Sequence, residues 1–222
     1  MKNDFGYIAH DKGGFKLTGT IKASGSIQSL VNDCAIVDEN GNIIHSNLKA
    51  GNFAGLFGGC TSLTSAPELP ATTLNDYCYE YMFNNCPNLV NVPELPATTL
   101  APYCYKLMFT HCTSLIETPE LPAISASTAV YNAMFARCTS LKKASLINLN
   151  TGINSFFWPM VTLFADCENL NYIKVDFTSW DIYGTGNWVA GVSASGTFVC
   201  PSALPIQYGD SYIPEGWTVE TF

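Results

Sequence analysis

The chain has 222 residues, 47% of them apolar, enough to bury a sizeable core, and only 13% are charged, against roughly 25% in an average soluble domain. A net charge of −8 and a pI near 4.7 create a negative field that repels phosphate, which argues against nucleic acid or an anionic membrane as partner. Every apolar run is broken well short of the ~18 residues a membrane span requires.

The opening MKNDFGYIAHDKGG has neither an uninterrupted apolar core nor a small-residue cleavage site, so no signal peptide is expected in it. Across Phe15–Ser24 apolar or small residues alternate with polar ones, the period of a half-buried strand. Ala35-Ile36-Val37 and Ile43-Ile44 flank Asp38-Glu39-Asn40-Gly41-Asn42, and Asn-Gly between β-branched runs predicts a hairpin. The acidic turn lacks the spaced ligands and closing Glu of an EF-hand, so it reads as solvated. Residues 1–33 are expected to form N-terminal cap strands, merging into a degenerate coil over 34–59. There Leu48, Phe53, Leu56, Phe57 and Cys60 stand 26 residues ahead of Leu74, Tyr79, Met82, Phe83 and Cys86.

From Cys60 to Cys138 the chain says nearly the same thing three times. Residues 60–85, 86–111 and 112–137 are 26-residue copies, the first two identical at 15 of 26 positions. Leu63, Leu89, Leu115 and Leu141 follow each Cys by three, and Leu69, Leu95 and Leu121 follow by nine. Proline at 67, 93 and 119, and again at 70, 96 and 122, cannot donate to a ladder, so each strand should be short and end in PELP. Beyond it Thr72 or Thr73 could cap a short helical segment on which Leu74, Cys78 and Met82 are spaced by four. Each copy thus predicts a short strand, a turn, a helical turn or two, and a return. One unit cannot bury its apolar side alone, so the units must stack, with strands about 4.8 Å apart. The expected fold class is an α/β repeat: a right-handed solenoid with one short parallel strand per coil and β-rich caps at both ends.

The nine cysteines follow the repeat. Cys34, Cys60, Cys86, Cys112 and Cys138 form one column and Cys78 and Cys104 another, the placement of a buried ladder of small side chains. Bridges between neighbouring coils are the alternative. No CxxC pair or His cluster makes a zinc site, and no cofactor is expected.

The coil 138–166 is longer, with Asn148–Asn154 replacing PELPATTL before Leu163-Phe164-Ala165-Asp166-Cys167 restores the phase; the insertion is drift or a specificity feature. Beyond it the repeated pattern stops. Residues 167–222, with Trp180, Trp188 and Trp217, are expected to form a C-terminal cap over the core. Gly184-Thr185-Gly186-Asn187 lacks the strand, helix and Lys of a phosphate loop and reads as a turn.

CTSLxxxPELPATTLxxYCYxxMFxxC resembles the BspA-type leucine-rich repeat of surface proteins from anaerobic gut and oral bacteria and some protozoan parasites. The likeness extends to Ser26–Leu30 and to Asn169–Lys174, Asn187-Trp188-Val189, Ser195–Val199 and Ile213–Val219. It implies a cell-surface or extracellular protein that binds or adheres to a protein or glycan of a host or neighbouring cell. Members often carry an export signal and further domains upstream, which are not seen here. Cys34 and Cys200 stand where polar residues are expected.

Catalysis finds little support. His10, His45 and His111 lie in different coils or caps, and no G-x-S-x-G elbow or H-E-x-x-H helix occurs. His111 precedes Cys112, but the equivalent Cys recurs beside Asn85 and Arg137. A repeated surface is the better candidate. Glu68, Glu94 and Glu120 should stack one coil apart, repelling by ~1 to 4 kcal/mol, a column either well solvated or neutralised by a cation or basic partner. Beside it Thr64, Ser65, Val90, Asn91, Ile116, Glu117, Lys142 and Lys143 vary between copies, as residues that discriminate a partner would. Tyr79, Tyr105 and Tyr131 are an alternative aromatic face, half-exposed, unless packing between coils explains them. The expected function is a non-enzymatic binding or adhesion module; the rival is a structural or receptor-binding component of a bacteriophage particle.

Overall fold

A computed structural model of the protein describes residues 20–23, 25, 36–37, 43–44, 53–121, 127–147 and 159–222. Its strands are β1 (Ile21–Lys22), β2 (Ile36–Val37), β3 (Ile43–Ile44), β4 (Leu63–Ser65), β5 (Lys143–Leu146), β6 (Tyr172–Val175), β7 (Thr197–Cys200) and β8 (Thr218–Thr221). β2 and β3 pair antiparallel, Ile36 opposite Ile44, as the Asn-Gly signal predicts. The turn between them lies outside the described residues, as do Cys34, His10, His45, Leu48, Ser26–Leu30, Pro122, the 148–154 insertion and most of the strand expected over Phe15–Ser24, of which β1 is a described part.

The remaining strand pairings among the described residues are parallel. β1 pairs with β4, and β5, β6, β7 and β8 form a four-stranded sheet in that order. Between the two sheets the pairing narrows to single bridges, Ser65 to Asn91 and Glu117 to Lys143. Proline accounts for the contrast. Pro67, Pro93 and Pro119 have no N–H to offer the ladder, whereas β5 has Ser145 at the matching place and runs on to Leu146. The residue pattern ends at Cys167, yet the ladder does not: Lys143 lies opposite Tyr172, Tyr172 opposite Thr197, and Thr197 opposite Thr218.

The helical segment expected after each PELP is absent: no helix occurs among the described residues. The stretch is a run of tight turns instead, with a left-handed residue at every fourth position: Tyr77, Tyr81 and Asn85 in one copy, Tyr103, Leu107 and His111 in the next, Ala129, Ala133 and Arg137 in the third. Leu74, Cys78 and Met82 are buried as their spacing requires, because a period of four serves these turns as well as it serves a helix. The hydrogen bonds show why the turns win. In a helix every N–H beyond the first turn bonds within its own segment. Here alternate N–H groups do so: Cys78 donates to Asn75 O, Glu80 to Tyr77 O and Met82 to Tyr79 O, at 3.1 to 3.2 Å. The others cross to the following copy, Tyr77 to Pro102 O, Tyr79 to Cys104 O, Tyr81 to Lys106 O and Phe83 to Met108 O, at 2.9 to 3.0 Å. A left-handed non-glycine residue costs about 1–2 kcal/mol, and each crossing bond returns about 1 kcal/mol while joining two copies. Thr73, expected as a cap, instead bridges to Thr99.

Identical residues therefore sit beside one another in the core. Phe57, Phe83, Phe109 and Phe135 stack at centroid spacings of 5.5 to 5.6 Å with interplanar angles of 5 to 8°, and Phe164 extends the row at 5.8 Å. Trp188 then tilts by 49° on Phe164 and gathers Phe177, Trp180 and Phe198 around it edge-on or tilted. The indole N–H groups of the three described tryptophans are all bonded to backbone carbonyls, Trp180 to Pro205 O, Trp188 to Tyr212 O and Trp217 to Ser193 O, so this aromatic end is polar-satisfied as well as apolar.

The eight described cysteines are free and buried, and Cys200 is among them, at the end of β7. Four thiols of the main column donate to a phenylalanine carbonyl 29 residues earlier, or 32 in the last case: Cys86 to Phe57 O at 3.1 Å, Cys112 to Phe83 O at 3.2 Å, Cys138 to Phe109 O at 3.1 Å and Cys167 to Phe135 O at 3.0 Å. A residue smaller than valine that still carries a weak donor suits that place, which explains cysteine better than redox chemistry does.

Candidate functional site: the strand face and its proline-walled groove

The pleat turns alternate side chains outward from the parallel ladder. Leu89 and Leu115 are buried, and the next residues, Val90 and Ile116, are each 48% exposed. They hold the same place in successive copies and are flanked on either side by polar neighbours. Val90 N–H bonds Thr64 O at 3.2 Å, and Lys142 N–H bonds Ile116 O at 2.8 Å, which sets Thr64, Val90, Ile116 and Lys142 in one column. Ser65 lies against Asn91 and Glu117 against Lys143 in the adjoining column. Asn91, Glu117, Lys142 and Lys143 are exposed and Thr64 is half-buried. The Lys143 ammonium stands 5.6 Å from the Tyr172 ring, extending the column to β6. The strand-face residues singled out from the sequence are thus brought together on one surface, apolar at its centre and charged at one end.

At the edge of this face a groove of about 400 Å3 is lined by Ala66, Pro67, Glu68, Leu69, Pro70, Pro93, Glu94 and Pro96. Its walls are the PELP segments of two successive copies, in which proline fixes the backbone and supplies flat apolar surface. Glu68, Glu94 and Glu120 are all exposed. No group of three His, Cys, Asp or Glu side chains converges to hold a metal ion among the described residues.

The alternative aromatic face is not a face. Tyr79, Tyr105 and Tyr131 are 1%, 2% and 0% exposed and stack at 6.1 Å inside the core. Burial pushes all three phenols well up from their ordinary value. A more accessible tyrosine pair lies two residues earlier, Tyr77 exposed and Tyr103 half-buried. Tyr77 and Tyr103 stack at 4.7 Å, parallel to within 3°, with Tyr77 40% exposed. Lys106 bonds Glu80 at 3.1 Å and lies 5.3 Å from the Tyr103 ring and 5.9 Å from that of Tyr81. Sequence could have found this pair, since Tyr77 and Tyr103 are also 26 apart; what it lacked was the turn geometry that sends position 79 inward and 77 outward.

A second row missed from sequence runs through the left-handed position before each cysteine. His111 Nε2 lies 3.3 Å from Arg137 Nη1, and Arg137 Nε lies 3.3 Å from Asp166 Oδ2, a file of three side chains from three copies. Desolvation and then Arg137 depress the His111 imidazole, with Asp166 acting the other way. Gly59, Asn85 and Gly191 in the same column carried the signal, being residues that tolerate a positive φ.

His111 does not activate Cys112. The thiol of Cys112 is buried against Phe83 O, and its ionisation is pushed far up by burial, with the neighbouring Cys86 adding to it. Cys86, Cys104 and Cys167 are pushed up to about 12, again chiefly by desolvation. Such thiols are inert as nucleophiles at neutral pH. Gly184-Thr185-Gly186-Asn187 is a turn in which Gly184 and Gly186 offer carbonyls to Met160 and Thr162 N–H, not N–H groups to an anion.

No helix among the described residues is long and apolar enough to cross a membrane. Comparison of the chain with protein-family models, with curated proteins and with solved structures finds no match.

Proposed function

We propose that the protein is a short solenoid of the leucine-rich-repeat kind that acts, without catalysis, as a binding or adhesion module outside the cell, taking a protein or glycan partner on its strand face. One observation carries the reading: Val90 and Ile116, β-branched and apolar, are half-exposed at the same place in successive copies, where the column changes residue from Thr64 to Lys142. A soluble surface has little reason to hold large apolar residues at its most variable repeated position unless something covers them, and a polar rim around an apolar centre is the anatomy of a protein interface. The resemblance to BspA-type repeats, many of which belong to surface proteins, supports the extracellular setting. The eight described cysteines are buried, which leaves no accessible thiol nucleophile among the described residues and favours a role in binding over thiol chemistry.

An array of host and bacterial surface proteins and glycans, probed with the labelled protein, tests this. The partner that it retains should be lost when Asn91 and Glu94 are both replaced by alanine. Unchanged retention by that variant would dismiss the strand face as the binding surface.

A further inference from the structure

We propose that the proline-walled groove between Glu68 and Glu94 is a docking site for an arginine side chain carried on an extended segment of a protein partner. The inference rests on the reading of the chain as a binding module and narrows it to one partner chemistry.

Three features point to this occupant. The groove joins apolar walls to an acidic rim: Ala66, Pro70 and Pro96, each exposed or half-buried, with Glu68 and Glu94. An arginine has the matching halves, a three-carbon stem that lies on apolar surface and a charged head that stays at its rim. The two carboxylates hold the same place in successive copies, and a planar guanidinium with donors on two edges can bridge a pair of acceptors so placed. Among the described residues neither carboxylate has an ion-pair partner; the pairs formed there are Lys106 with Glu80 and Arg137 with Asp166. Bringing a cation between them removes their mutual repulsion, so charge complementarity favours a basic occupant over a neutral or anionic one.

Other occupants fit less well. A calcium or magnesium ion takes six or more oxygen ligands, and the groove brings two carboxylates amid prolines that offer no side-chain ligand. A sugar would leave the carboxylates facing hydroxyls while gaining no aromatic platform, since the groove contains no ring other than proline. Because proline already fixes the backbone on both walls, little ordering opposes docking.

The test is an NMR titration of the full chain with an acetylated, amidated Gly-Ser-Arg-Ser-Gly peptide and with its citrulline counterpart, which keeps the shape and loses the charge. The arginine peptide should shift the backbone amides of Glu68, Leu69, Glu94 and Leu95 saturably, with a Kd of ~1 mM or tighter. The citrulline peptide should bind about tenfold more weakly or not at all, and Glu68→Gln and Glu94→Gln should each weaken the arginine peptide about threefold or more at an unchanged Tm. Equal binding of the two peptides, shifts confined to other residues, or indifference to both glutamine variants would overturn the proposal. This readout is separate from that of the strand face: a partner captured on the array and lost with Val90→Asp and Ile116→Asp, but kept by the glutamine variants, leaves the strand face standing and refutes the arginine site.

Discussion

Replacing Tyr79 and Tyr131 by phenylalanine should stabilise the protein. Both rings are buried in a row that starts with Phe53, stacked at 5.8 Å on Tyr79, and runs through Tyr105 to Tyr131. Neither Tyr79 Oη nor Tyr131 Oη has a hydrogen-bond partner among the described residues. A buried polar group left unpaired costs about 1–3 kcal/mol, while the stacking of the ring does not depend on the hydroxyl. Each substitution should therefore add about 1 kcal/mol or more, and a gain of 1 kcal/mol raises Tm by roughly 2–4 °C in a chain of this size. The two positions are separated by Tyr105 and share no direct contact in the ring stack, so the gains should nearly add. Thermal and urea unfolding followed by circular dichroism would measure them. Loss of stability by more than about 0.5 kcal/mol in either variant would refute the reasoning, for it would mean that the hydroxyl is bonded. If the tyrosines instead formed a surface for partners, the same substitutions would leave Tm unmoved.

Other outcomes follow from the turns, the sheet and the thiols. His111 holds a φ of 62°, so His111→Gly should stabilise by about 0.5–1 kcal/mol and His111→Val should destabilise by about 1 kcal/mol or more, as read by urea unfolding. Gly196→Ala should cost about 3 kcal/mol or more in the same assay, because the new methyl would lie 2.5 Å from Asn171 O and 2.8 Å from Trp217 Cε2, where β6, β7 and β8 meet. Burial raises the folded-state values of Cys86, Cys104 and Cys167 to about 12 from an ordinary value of 9.0. An unfolded chain ionises these thiols first as pH rises, so their contribution to stability is complete below pH 9 and is lost between pH 9 and about 12. Tm should fall steadily over that window, and a thiol reagent at pH 8, read by peptide mapping, should label the eight described cysteines of the native protein no faster than it unfolds; a flat Tm or fast labelling at those eight would contradict the buried column.

How much of this was legible depends on which signal each element needed. The columns of Leu63, Leu89 and Leu115 and of Cys60, Cys86 and Cys112 announced themselves, because a buried place in a stack admits few residue types. Asn40-Gly41 gave the hairpin, and proline gave the short strands. The turns were misread because Leu74, Cys78 and Met82 fit a helix and a period-four turn equally well. The discriminating clue, a positive φ at every fourth residue, is visible at Gly55 and Gly59 but concealed at Tyr81 and Leu107, side chains that resist that conformation until the crossing hydrogen bonds impose it. The strand-face residues share one surface because they hold the same positions in successive copies. For Tyr79 a half-exposed face and packing between copies both stay open in the sequence, because nothing local separates it from Tyr77, two positions away and exposed.

The strand face is tested most directly by one comparison: retention, on an array of surface proteins and glycans, of the unaltered protein, of the Val90→Asp, Ile116→Asp double variant, and of the Tyr77→Ala, Tyr103→Ala double variant from the turn side. If the face binds, the first double variant should lose about a hundredfold in affinity for the retained partner at an unchanged Tm, and the second should bind as the unaltered protein does. Retention by the strand-face variant together with loss by the tyrosine variant would contradict the account and move the binding surface to the turns.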